Sequence, residues 1–283
     1  MLRTYYELAK PGIVRGNAMV AAGGYLFAAG NDFNFWQFMA MLVGISLIMA
    51  SACVVNNCID RDIDSKMART KKRALVTGKV TNTQAIIYAA LLGAGGVASL
   101  IYTNPLTLNV ALAGFFLYVV AYGIWKRRSP IGTIVGSLSG ATPPVVGYVA
   151  FTNQLDLGAG LLFLIIVLWQ MPHFYAIAIY RANEYRAAKI PVLPLVHGVE
   201  ATKMHIIGYI AAYCITVVLL ALSGYAGLTY LVVMTGLSVF WLTRGLLGLR
   251  DTDSSAWARR MFGISLIVMI GFSIMIAANA WLP

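Results

Sequence analysis

The stretch Asn56-Asn57-Cys58-Ile59-Asp60-Arg61-Asp62-Ile63-Asp64 spaces three oxygen-bearing side chains, Asn56, Asp60 and Asp64, at i, i+4 and i+8. On a helix each four-residue step turns about 40° past a full circle, so the three share one face and span about 12 Å along it. Hard cations such as Mg2+ take oxygen ligands, and Mg2+ retains waters and binds substrate phosphates instead of filling an all-protein cage. An amide and two carboxylates therefore read as an incomplete shell for a metal-bound diphosphate. Asp62 falls off the stripe and reads as a surface acid that neutralises a neighbouring arginine.

The following segment, Lys66-Met67-Ala68-Arg69-Thr70-Lys71-Lys72-Arg73, holds five cations in eight residues. Arginine suits bidentate contact with phosphate oxygens, although a loop on the cytoplasmic side of a membrane is basic in any case. A second polar constellation lies at Trp169-Gln170-Met171-Pro172-His173 and continues to Arg181 and Glu184. A histidine inside an apolar run needs a partner or a cavity. His173 could ligate a metal, shuttle a proton or bond a neighbouring helix. Pro172 frees a backbone carbonyl and favours a kink. Arg181 and Glu184, three apart, share a helical face and form either a site or an ordinary surface pair.

These residues need a scaffold, and composition names its solvent. The chain has 283 residues, 60% apolar and 11% charged, with a net charge of +11. That excess of apolar residues exceeds what one soluble core can hide, so lipid is the surrounding medium. Nine apolar segments reach spanning length: 13–30, 37–57, 84–102, 106–124, 132–151, 158–180, 204–223, 226–243 and 261–281. All 21 lysines and arginines fall at or before the start of the first segment or in alternate connections after it. The positive-inside rule then puts the amino terminus in the cytoplasm and, with nine spans, the carboxyl terminus outside. The same distribution accounts for the basic charge without a nucleic-acid partner. Cys53, Cys58 and Cys214 fit neither a zinc site nor a disulfide framework. The expectation is an all-α integral membrane protein, residues 1–283 forming one unit, with no cleavable signal peptide.

The pattern Asn56-x3-Asp60-x3-Asp64, followed by Arg69-Thr70 and Arg73, resembles the first acidic motif of the UbiA-type intramembrane prenyltransferases. Within them, the chain resembles the protohaem IX farnesyltransferase (haem O synthase) branch. That narrower resemblance rests on Lys10-Pro11-Gly12-Ile13 with Asn17, Asn57-x2-Asp60-Arg61-Asp62-Ile63-Asp64, Gly136-Ser137-x2-Gly140-Ala141-x-Pro143-Pro144, Trp169-Gln170-x-Pro172-His173 and Pro191-x-Leu193-Pro194. It covers essentially the whole chain.

The resemblance implies a ring of nine helices around a central cavity open to cytoplasm and lipid. It also implies transfer of the farnesyl group of farnesyl diphosphate to protohaem (haem B), giving haem O and diphosphate. Asn56, Asp60 and Asp64, with Glu184, would hold Mg2+. Arg69 and Arg73, with Lys10, Lys126 and Arg181, would hold diphosphate. Asp60, Asp64 and His173 would be catalytic, and His173 would contact the haem. The setting would be the bacterial cytoplasmic (inner) membrane, with the site on the cytoplasmic side and haem O passed on to a terminal oxidase. One departure stands out: many members carry a second Asp-x3-Asp after the sixth span, where this chain has only Glu184 before Glu200.

Competing readings predict other patterns. A prenyltransferase acting on a quinone precursor such as 4-hydroxybenzoate would show the fuller second motif. A transporter would carry its charges near the membrane midplane. A haem-based electron carrier would need paired axial ligands, and only His173 is expected inside a span.

Overall fold

The computed structural model describes residues 2–283, which are helical with no β-strand among them. Two helices, α1 (Leu2–Leu8) and α2 (Pro11–Ala29), lead into α3 (Phe35–Ile59) and the single turn α4 (Arg61–Asp64). After a long connection come α5 (Asn82–Ile101), α6 (Pro105–Phe116), a π-helical segment (Leu117–Tyr122) and α7 (Gly123–Trp125). The remainder comprises α8 (Gly132–Gly140), α9 (Thr142–Thr152), α10 (Leu157–Tyr180), α11 (Ala182–Ala187), α12 (Leu193–Val196), α13 (Val199–Leu222), α14 (Leu228–Leu247) and α15 (Ser254–Ala278).

Eight helical units are long and apolar enough to cross a membrane: Phe35–Ile59, Asn82–Ile101, Pro105–Trp125, Gly132–Thr152, Leu157–Tyr180, Val199–Leu222, Leu228–Leu247 and Ser254–Trp281. They coincide with eight of the nine expected segments. The remaining segment, 13–30, coincides with α2, a helix of 19 residues outside that set of eight. Asn34, Thr81, Asn104, Asp156 and Asp253 each accept a bond from the backbone N–H three residues on and so start five of the spans. One boundary differs in consequence: α13 starts at Val199, five residues before the expected 204. His205 therefore lies inside a span-length helix, as His173 does in α10.

The expected fifth span is broken at Ala141, before Pro143-Pro144. Two prolines remove two ladder donors, the one facing Ser139 among them, and at the break Ala141 N–H turns to the Leu138 carbonyl at 3.4 Å instead of that of Ser137. Both carbonyls find side-chain donors. Thr142 Oγ1 donates to the Ser139 carbonyl at 2.8 Å. Gln170 Nε2, from α10, donates to the Ser137 carbonyl at 3.0 Å. Gln170 thus stitches α10 to the break. By contrast, α10 runs through Pro172 without interruption.

Two groups of helices make the body. α10, α13, α14 and α15 pack around buried Tyr213, Tyr230, Trp241, Trp257 and Phe272. α2, α3, α6 and α9 surround Tyr25, Met41, Ile45 and Val146, with α5 against α3. α2 touches α15, and α9 and α10 are in contact, which joins the groups. The α2–α9 crossing brings backbones together: a Cβ on Gly24 would meet the Pro144 carbonyl and one on Gly147 the Ala21 carbonyl. Close approach through small residues is how helices pair where lipid removes the hydrophobic drive.

Candidate active site

The acidic stripe is not one unbroken helix. α3 ends at Ile59 and Asp60 is the junction to α4. The four-residue ladder nonetheless survives the junction. Asp60 N–H donates to the Asn56 carbonyl at 2.9 Å, and Asp64 N–H to the Asp60 carbonyl at 2.8 Å. Asn56, Asp60 and Asp64 are all buried, at 2%, 9% and 5% exposure, whereas Asp62 is exposed.

Each member of the stripe meets its own cation from a different part of the chain. Lys10 Nζ donates to Asn56 Oδ1 at 2.7 Å. Lys10 links α1 to α2 in a left-handed backbone conformation (φ 53°), and burial lowers its amine to about 8. Lys126, from the end of the fourth span, pairs with Asp60 Oδ2, and burial lowers that ammonium too. Arg73 reaches Asp64 Oδ2 at 2.5 Å and Asn57 Oδ1 at 3.2 Å. Asn57 in turn donates to the Leu8 carbonyl at 2.8 Å, which ties α1 to the site. Arg127 bonds both oxygens of Asp62 at 2.8 Å and the Ile59 carbonyl at 2.7 Å; it lies 3.5 Å from Asp60 Oδ1.

The second constellation sits beside the first. Ile63 and Met67 pack with Ala188, Tyr185 and Ile190. The charges of Arg69 and Arg181 both act on the buried Tyr185 hydroxyl, which desolvation raises above its ordinary range. Arg69 makes no ion pair among the described residues, while Arg181 lies 3.4 Å from Glu184. His173 stands apart, on the α10–α15 seam: Nδ1 is 2.8 Å from Ser265 Oγ, with its ring stacked on Trp169 at 4.8 Å.

The expected metal set has a specific donor chemistry. Asp60 Oδ1 and Glu184 Oε2 are buried acceptors with no hydrogen-bond donor, the condition that a bound cation relieves. Among the described residues no three histidine, cysteine or acidic side chains converge on one point, so the protein offers a partial shell, as an ion shared with phosphates requires. Asn56 uses its carbonyl for Lys10, and its unpartnered group is the amide NH2. As oriented, that NH2 suits a phosphate oxygen, whereas a metal role draws on the carbonyl.

Two tyrosines complete the surroundings. Tyr118 donates to Asn56 Oδ1 at 3.4 Å, and Lys126 lies 5.0 Å from the Tyr122 ring centre. The Tyr118 and Tyr122 rings stack at 5.7 Å and 17°, four residues apart along the π-helical segment. The signal was present in sequence: Tyr118, Tyr122 and Lys126 repeat the i, i+4, i+8 spacing of the acids. Arg127 carried no comparable signal.

Known proteins extend this picture. The UbiA prenyltransferase family pattern matches residues 17–267. "Protoheme IX farnesyltransferase 2" of Chromobacterium violaceum is 49% identical over 99% of this chain and 94% of its own. "Protoheme IX farnesyltransferase" of Pectobacterium carotovorum is 48% identical over 100% and 97%. A solved digeranylgeranylglyceryl phosphate synthase shares the fold with a TM-score of 0.83 at 18% identity, over 99% of this chain and 98% of its own. A UbiA homolog from Archaeoglobus fulgidus, solved with GPP and Mg2+, does so with a TM-score of 0.67 at 14% identity, over 97% and 99%. A pattern match across most of the chain, relatives near half identity and a shared fold lead to one assignment: this chain belongs to the UbiA prenyltransferase family.

Proposed function

We propose that the chain transfers the farnesyl group of farnesyl diphosphate to a vinyl group of protohaem, giving haem O and diphosphate. The observation that carries this is near-half identity over the full length to proteins named protoheme IX farnesyltransferase. The buried, cation-lined acidic stripe supplies a site with the right chemistry.

Asp60, Asp64 and Glu184 hold Mg2+, with Asn56 at the same ion or, through its NH2, at a phosphate oxygen. Bound there, the ion neutralises charge that develops on the leaving diphosphate. Arg69, which has no acid partner, takes diphosphate oxygens first. Arg73, Lys10 and Lys126, now paired with the carboxylate and amide groups that would hold the ion, would supply further cationic contacts to phosphate. Arg181 does so from the Glu184 side. Fixed cations facing the leaving group lower the barrier to breaking the allylic C–O bond. The haem vinyl group captures the farnesyl cation at its terminal carbon, and water adds to the carbocation left beside the ring and releases a proton, giving the hydroxyethyl side chain. His173 is the catalytic-site contact to haem.

The chain acts as one unit of nine spans around a central cavity. α2, of 19 residues, is roughly 28 Å long, enough for the hydrocarbon core. The gathering of all 21 cations at the start of the first segment and in one set of connections supports an amino terminus and site on the cytoplasmic face and a carboxyl terminus outside, the membrane being the bacterial inner membrane. Haem O leaves into the bilayer for a terminal oxidase.

Membranes containing the chain, given protohaem, farnesyl diphosphate and Mg2+, are expected to form haem O, detected by its mass and retention. Prenylation of 4-hydroxybenzoate with no haem O would overturn the assignment. A reporter active only outside the cytoplasm, fused after Pro283, is expected to be active.

A further inference from the structure

The α10–α15 seam is an antiparallel ladder of side chains that the acidic site does not use. Trp169 Nε1 donates to the Ser265 carbonyl at 2.7 Å, and His173 Nδ1 meets Ser265 Oγ at 2.8 Å. Two residues one turn apart on α10 thus grip a single residue of α15. His173 also lies 4.7 Å from the Phe262 ring centre, Phe262 lies 5.9 Å from Tyr180, and Arg259 sits 5.0 Å from the Tyr180 ring centre.

Counting hydrogens fixes the imidazole. Ser265 Oγ is 2.6 Å from the Phe262 carbonyl oxygen. Two oxygens approach that closely only with a hydrogen between them, and a hydroxyl has one. Ser265 therefore accepts from His173, which carries its proton on Nδ1. Nε2 is left with a lone pair and makes no hydrogen bond among the described residues. Imidazole binds iron through such a nitrogen, and the partner on the other nitrogen sets its tautomer and direction.

Along α15, Arg259 precedes Ser265 by six residues, roughly 9 Å towards the α15 start. Its neighbours Arg181 and Arg260 pair with Glu184 and Asp251, but Arg259 has no ion pair among the described residues. It is an exposed, unneutralised guanidinium 5.0 Å from the Tyr180 ring centre, on the same seam as an imidazole lone pair.

We infer that this seam seats the porphyrin: His173 Nε2 faces the iron, Ser265 is the positioning residue that fixes its tautomer, and Arg259 takes a carboxylate on the porphyrin edge. The inference rests on the haem reading above. Trp169 and Phe262 give the macrocycle an aromatic wall.

Three histidines in the whole chain make the tautomer measurable by 15N NMR of histidine-labelled protein in nanodiscs. His173 is expected to show the Nδ1–H pattern, and Ser265→Ala to lose it. With ferric protohaem, wild type is expected to show an axial-imidazole spectrum, and Ser265→Ala to bind about 10-fold more weakly with that signature altered. Arg259→Gln is expected to bind protohaem about 10-fold more weakly and protohaem dimethyl ester, which lacks the carboxylates, as well as wild type does. Unchanged spectra and affinities in both variants, or equal weakening towards both porphyrins in Arg259→Gln, would overturn the seat while leaving haem O formation by wild type intact. Wild type that makes no haem O and binds no protohaem would overturn the function and the seat together.

Discussion

The two polar clusters at this end of the bundle differ in how their charges are held. In the stripe at the α3–α4 junction, Asn56, Asp60 and Asp64 are buried and each is engaged by a cation from another segment: Lys10, Lys126 and Arg73. At the end of α10, one acid, Glu184, is half-buried and lies 3.4 Å from an arginine three residues before it. A local, half-exposed pair contributes little to stability or placement. Three buried groups engaged from distant segments are rigidly placed, and removing one partner leaves the other charge uncompensated. The difference teaches that the fold holds the first cluster in place from several segments, while the second is held only locally.

The largest effect should follow from breaking the stripe. Asp60→Asn and Asp64→Asn are expected to lower the prenyl-transfer rate by about 100-fold or more, since each removes a carboxylate that would hold the Mg2+ facing the charged leaving group. Asp60→Ala adds a second penalty, because Lys126 is left buried and unpaired; breaking such a pair costs about 3–5 kcal/mol. Detergent-solubilised Asp60→Ala should therefore melt early, and Asp60→Ala with Lys126→Met should regain stability without activity. If Asp60→Asn retains wild-type turnover, the stripe is not the site.

The second cluster gives a smaller effect. Glu184→Gln removes one buried acceptor that has no donor and is expected to cost about 10-fold, the size of a supporting contact to a metal. The loss should show mainly as a raised Mg2+ requirement, read by titrating the metal at fixed substrate. A loss equal to that of Asp64→Asn would make the two clusters equivalent and remove the distinction.

Legibility in the sequence followed the range of the interactions. The acids were visible because their spacing is local, and eight of the expected spans matched because about 20 apolar residues in a row have few alternatives in lipid. The break at Ala141 is not legible in hydropathy, because the apolar run continues across Pro143-Pro144 and hydropathy does not register lost donors. The early start of α13 was missed because Glu200 and Lys203 look like loop residues, yet Lys203 is fully buried, bonding the Leu249 carbonyl at 3.3 Å. Which cation meets which acid depends on contacts 46, 66 and 9 residues apart, which no local pattern specifies. Tyr118 is legible in the same four-residue spacing, but its bond to Asn56, 62 residues away, is not. Tyr118→Phe should cost a few-fold in rate, about the worth of one hydrogen bond.

Asp62 offers the sharpest internal control, because it belongs to the same motif and lies outside the site. It is exposed, and Arg127 bonds both its oxygens, holding its carboxyl down to about 2 from an ordinary 3.8. A depressed carboxyl adds stability that is fully present above the unfolded value and is lost as pH falls through the folded one. The pair's contribution is thus complete above about 4 and gone below about 2, outside any working range for the enzyme. Exposure limits it to about 0–1 kcal/mol. Asp62→Asn should therefore change the rate at neutral pH by less than about 2-fold, with a melting temperature slightly below wild type at pH 7 and converging on it in strong acid. A rate loss at pH 7 as large as that of Asp64→Asn would mean that charge density across the motif, and not the buried face, sets activity.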